Sequence, residues 1–185
     1  MGKEEAAVAL IEAESTEGKT MQFFGRAMKA AIQGDESAVV ATLRHGAGPN
    51  TPLSTGLTPL NLAASKGAVK VADILLNNGA DPNLSGPSGA APLEDAVLKG
   101  EESIVKMLLD HGALVDPINS GSGTTALYAA AAFGKAAIVK LLLERGANPH
   151  LCGGNRRSPY QAAMDNGYAD VAAEIRSHGG AGSCQ

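Results

Sequence analysis

Three groups of residues in this chain have the types that chemistry requires. Gly121-Ser122-Gly123-Thr124-Thr125-Ala126 has the glycine spacing of a phosphate loop, whose amides point at a pyrophosphate. His45, His111 and His178 are candidate metal ligands, and Glu94-Asp95 and Glu101-Glu102 offer carboxylates for proton transfer. Each chemistry depends on what holds the residues in place. A phosphate loop needs a buried strand before it and a long helix after it. A metal needs ligands within a few ångströms of one point. An acid–base pair needs two groups facing one substrate atom.

The positioning elements are set by a period. Gly34, Gly67, Gly100, Gly134 and Gly167 follow one another at steps of 33, 33, 34 and 33 residues. Gly46, Gly79, Gly112, Gly146 and Gly179 keep the same steps. A constant period of this size implies stacked supersecondary units and not one closed core. Within the unit, Thr58-Pro59-Leu60 starts a helix, because threonine caps the first turn and proline suits its first position. Gly67 ends that helix, and Val69, Val71, Ile74, Leu75 and Leu76 mark a second helix with one apolar stripe. Asp81-Pro82-Asn83 then reads as a turn.

The segment Thr58-Pro59-Leu60-Asn61-Leu62-Ala63 resembles the signature of the ankyrin repeat. Echoes follow at Ala91-Pro92-Leu93-Glu94-Asp95-Ala96, Thr125-Ala126-Leu127-Tyr128-Ala129-Ala130 and Ser158-Pro159-Tyr160-Gln161-Ala162-Ala163. The resemblance implies an all-α repeat solenoid of helix-turn-helix units with projecting hairpin-like connections. Five units are expected over residues 20–180: a cap at 20–52, three regular units at 53–85, 86–118 and 119–152, and a second cap at 153–180. Residues 1–19 form an N-terminal extension with a possible short helix, and 181–185 form a tail. The caps show as Gly25-Arg26-Ala27 and Thr42-Leu43 at one end and Ile175-Arg176 at the other, where regular units carry Thr-Pro-Leu and paired leucines. The family's signature histidine, which ties adjacent repeats together, is replaced by Asn61, Glu94, Tyr128 and Gln161. Asparagine and glutamine can take over its hydrogen bonding; glutamate and tyrosine are expected to do something else.

In this frame the three chemistries lose their support. No hydrophobic strand precedes Gly121, and the segment is in register with other repeat connections. His45 and His111 stand two repeats apart, each before a repeat glycine, where imidazole suits a helix C-terminus. The adjacent carboxylates point to different sides of a helix and read as solvated faces. No catalytic residue, cofactor site or metal site is expected.

Composition narrows the partners. A formal charge of −4 offers no general attraction to nucleic acid, and the longest apolar run is too short to cross a bilayer. Glu4-Glu5 does not suit a secretory signal, and the start lacks the hydroxyl residue that myristoylation prefers. Cys152 and Cys184 have no paired spacing and read as free thiols. A cytoplasmic, and also nuclear, monomer is the expectation.

The resemblance implies that a partner protein meets the concave face made by first helices and connection tips. By register, the contact positions are Thr55, Leu57, Ser65, Lys66, Ser88, Leu98, Lys99, Ser122, Phe133, Asn155, Arg157, Asp165 and Asn166. Leu57, Leu98 and Phe133 are apolar where exposure is expected, as anchors of an interface are. Lys66, Lys99 and Arg157 suggest a partner segment with some negative charge, which Asp165 opposes. The expected role is a soluble adaptor or regulatory subunit. The alternatives are a stoichiometric inhibitor covering an enzyme's active site and, less favoured, an enzyme with a site between repeats.

Overall fold

A computed structural model describes residues 25–29 and 36–182 of the chain. The expectations for residues 1–19 and for Gly34 fall outside these residues. Residues 25–29 are helical. Nine further helices follow among the described residues: α1 Ser37–Arg44, α2 Pro59–Lys66, α3 Val69–Asn77, α4 Pro92–Lys99, α5 Glu102–Asp110, α6 Ala126–Ala132, α7 Ala136–Glu144, α8 Pro159–Asp165 and α9 Ala169–Ser177. No strand occurs among them. The fold is an all-α repeat solenoid.

Local chemistry starts and stops each helix. The Thr58 side chain accepts from the Asn61 amide, and the Asn61 side chain accepts in return from the Thr58 amide. Ser158 and Gln161 repeat this reciprocal cap, and Thr125 accepts from the Tyr128 amide. Helix α4 starts at Ala91 without a side-chain cap, but Glu94 and Asp95 lie in its first turn, where negative charge is favoured. At Gly67 the chain turns with φ 72°, a conformation that favours glycine. At Gly134, φ is 64°, and a methyl group there would lie 2.5 Å from the Tyr168 ring of the next unit.

First helices α2, α4, α6 and α8 pack in one layer, and second helices α3, α5, α7 and α9 in another. The core is a column of equivalent positions. Leu75, Leu108, Leu142 and Ile175 are all fully buried, as are Ala63, Ala96, Ala130 and Ala163. One unit earlier the column reaches Thr42, which is buried and donates its hydroxyl to the Ala38 carbonyl at 2.6 Å. At the other end Arg176 takes the place of a leucine, stays exposed and stacks 4.7 Å over the Tyr160 ring.

A polar ladder runs beside this column. Asn50 accepts from the Asp81 amide and donates to the Gly79 carbonyl. Asn83 does the same with Leu114 and Gly112. On the third rung stands Asp116, which accepts from the Asn148 amide at 2.9 Å but has no amide to donate. Its Oδ1 is buried without a hydrogen-bond partner, and burial holds its pKa above the usual value despite the Asn148 bond. The register sets the Gly146 carbonyl where Gly79 and Gly112 stand on the other rungs. A carboxylate cannot supply the donor that Asn50 and Asn83 give to those carbonyls.

Two stability changes follow. Leu108→Ala should lose about 2–5 kcal/mol in urea unfolding, because the void opens inside a stacked interface. Loss below about half a kcal/mol would contradict the column. Asp116→Asn should instead gain about 1 kcal/mol at neutral pH by restoring the missing donor. A destabilised variant would show that the rung works differently from its two neighbours.

Candidate functional site

The connection tips are tight hairpin turns. Leu53, Gly86 and Gly153 each donate to the carbonyl four residues on, at Leu57, Ala90 and Arg157. The third tip is one residue longer, with Asn119 donating to the Thr124 carbonyl. This is where the glycine step lengthens to 34. The extra residue lets Asn119 fold its side chain into the tip, where Oδ1 accepts from the amides of Gly121 at 2.8 Å and Ser122 at 3.1 Å. The glycine-rich segment therefore directs two of its amides at Asn119, as a connection tip of the array.

Asn119 also reaches the preceding unit. Its Nδ2 donates to Glu94 Oε2 at 2.7 Å, and Thr124 donates to Glu94 Oε1 at 3.0 Å. Glu94 is only 7% exposed. This corrects the reading of Glu94-Asp95 as a solvated face: Glu94 stands at the signature position, which faces the next repeat. It also corrects the expectation that glutamate and tyrosine abandon the bracing role. Asn61 donates to the Ala90 carbonyl at 3.4 Å, and the Tyr128 hydroxyl is joined to Asn155 at 2.9 Å. Different side chains make one kind of tie between neighbours.

Beside Glu94 opens a groove of about 320 Å³ between α4 and α6. Its walls include Ser88, Leu98, Ser122, Tyr128 and Phe133, and its acidic lining is Glu94 and Asp95. Asp95 accepts from Asn61 Nδ2 at 3.3 Å. Burial raises its pKa to about 6 from an ordinary 3.8; the Asn61 bond acts against the rise and the Glu94 charge adds to it.

Four positions read from sequence, Ser88, Leu98, Ser122 and Phe133, meet in this groove. Leu98 is 47% and Phe133 57% exposed. The rest lie elsewhere on the same series of helices and tips. Leu57 is half-buried, because its Cδ2 lies over Gly86, where a methyl group would come within 2.8 Å. Ser65 is half-buried and donates to the Leu62 carbonyl. Lys99 extends over Gly67, and Arg157 forms an ion pair with Asp165 at 2.9 Å. Asn166 donates to the Ala162 carbonyl, Asn155 joins Tyr128, and Thr55 and Lys66 are exposed. Sequence reasoning missed Glu94, Asp95, Asn119 and Tyr128 as groove residues. Their signals were the lengthened glycine step and the substituted signature position.

The other candidates resolve as structure. His45 and His111 each hold a ring nitrogen 2.9 Å from a carbonyl one turn back, at Ala41 and Met107, and His178 lies 3.1 Å from that of Glu174. No group of three or more His, Cys, Asp and Glu residues that could hold a metal occurs among the described residues. None of their helices is long and apolar enough to cross a membrane. Cys152 is disulfide-bonded, which corrects its reading as a free thiol. The other cysteine, Cys184, lies outside the described residues.

These features define a stacked-repeat scaffold. A family model for ankyrin repeats in three copies matches residues 27–119, and one for a single ankyrin repeat matches 122–153. The chain belongs to the ankyrin-repeat family, whose repeats are in general protein–protein interaction modules and typically non-catalytic. No curated protein matches the chain.

Asp95 makes stability depend on pH. Its folded pKa lies above its unfolded one, so its contribution is fully present below about pH 4 and is lost as pH rises through about 6. Asp95→Asn should remove that slope. Urea midpoints at about pH 4.5 and about pH 7.5 should show the variant gaining on the wild type at the higher value. An equal difference at both would mean that Asp95 ionises freely.

Proposed function

We propose that this chain is an adaptor or regulatory subunit, monomeric by itself, that docks onto another protein through its first-helix face and connection tips. The observation that carries this reading is the exposure of Leu98 and Phe133 on either side of the groove between α4 and α6. Large apolar groups beside a polar rim are what interface anchors look like, and they contribute most where water is excluded around them. Thr55, Lys66, Ser88, Lys99 and Ser122 extend that face over neighbouring units, while Asn155, Arg157, Asp165 and Asn166 continue it toward the end of the array. Affinity then comes from a few anchors and many modest contacts on a preformed surface, with little rearrangement.

The inhibitor reading uses the same face and differs in what the partner does. Adding the protein to an assay of an identified partner enzyme separates the two, since a stoichiometric inhibitor abolishes turnover at a one-to-one ratio.

The test compares proteins captured from a lysate by the wild type and by a Leu98→Glu, Phe133→Glu variant that unfolds at the same urea concentration. Partners held by the wild type should be lost from the variant, because a buried unpaired carboxylate at an anchor weakens binding by several kcal/mol, on the order of 2–5. Identical capture by both proteins would remove this face from consideration.

A further inference from the structure

We infer that the groove between α4 and α6 is a receptor for one arginine side chain of the partner, with Glu94 and Asp95 holding its guanidinium and Leu98 and Phe133 flanking its stem. This rests on the reading of the first-helix face as the docking surface.

Charge complementarity selects this occupant. Two carboxylates line the groove, and no lysine, arginine or histidine does. Of the cations expected on this face, Arg157 pairs with Asp165, Lys99 extends over Gly67 beside Glu101, and Lys66 is exposed outside the groove lining. Asp95 accepts from Asn61 of α2, lies beside Glu94 on its own helix and shares the groove lining with Tyr128 of α6. Glu94 is pinned by Asn119 and Thr124, so its charge is fixed in place. An acidic partner segment, which the surface lysines had suggested, would bring a third anion to this point.

Shape narrows the choice further. A volume of about 320 Å³ lies at the lower end of small-molecule pockets and has room for one long side chain. Arginine fits better than lysine. Its planar fork can reach two carboxylates at once, and its face can stack on the exposed Phe133 ring. The proton that Asp95 holds below about pH 6 opposes such a guest, so docking releases it.

The experiment selects short random peptides, displayed on phage, against the full chain at about pH 7.5. One enriched position should be arginine, flanked by apolar residues. Replacing that arginine by citrulline, neutral and nearly the same shape, should weaken the synthetic peptide at least about tenfold, since a desolvated charge pair is lost. Wild-type affinity should also fall about tenfold at about pH 5, where roughly a tenth of Asp95 is ionised, and Asp95→Asn should abolish that fall. Phe133→Ala, which leaves both carboxylates in place, should weaken the peptide without altering its pH dependence. Peptides without a basic consensus that nevertheless fail to bind the Leu98→Glu, Phe133→Glu variant would overturn the arginine receptor and leave the docking face standing. Peptides indifferent to that variant would overturn both. A selection with no enrichment counts against the receptor.

Discussion

Each helix pair of this chain has an apolar face that it cannot cover by itself, and only the neighbouring pair can cover it. That dependence shapes every other feature. The column of Leu75, Leu108, Leu142 and Ile175 removes apolar surface from water at each step, but it has no direction of its own and would tolerate sliding. Position is fixed by polar groups at the edges. Asn50, Asn83 and Asp116 form rungs at one edge, while Asn61, Glu94 and Tyr128 form ties at the other. Apolar burial provides attraction between units, and the hydrogen bonds set their register.

The ties need not be chemically uniform, because each serves only one interface. Any side chain that reaches the next connection will do, provided that connection offers a matching group. Glu94 illustrates this. A carboxylate accepts and cannot donate, so its tie requires two donors, and Asn119 and Thr124 supply them. Asn119 stands at the start of the third tip, which is one residue longer than the others. The insertion and the glutamate are therefore two halves of one local solution.

This explains what sequence could and could not reveal. Helices, their order and the buried column were legible, because the glycines, the threonine and proline starts and the apolar spacing act within one unit. Exposure of Leu98 and Phe133 was legible for the same reason. The burial of Glu94 was not, since it depends on a residue 25 positions away in another unit. Leu57 misled in the same manner: its environment is Gly86 of the following connection, a contact that its own repeat does not contain. Local rules describe a unit, and pairwise facts belong to the interfaces.

The interface between α4 and α6 differs from its neighbours in charge as well as in the length of its tip. Using an ionised tie places a fixed negative charge next to Asp95, which is itself half-buried. A neutral tie, such as asparagine at the equivalent Asn61, would brace the units without this charge. Burial first, and the Glu94 charge to a smaller extent, disfavour the ionised form of Asp95, and the Asn61 bond offsets only part of this. Taking up a proton or a cationic partner relieves what the Asn61 bond leaves. Stacking alone does not call for it, since the neighbouring interfaces achieve the same bracing with uncharged ties. Local departures from the cheapest structural solution are expected where function is located. The groove between α4 and α6 is such a departure, and its sign selects the charge of what it receives.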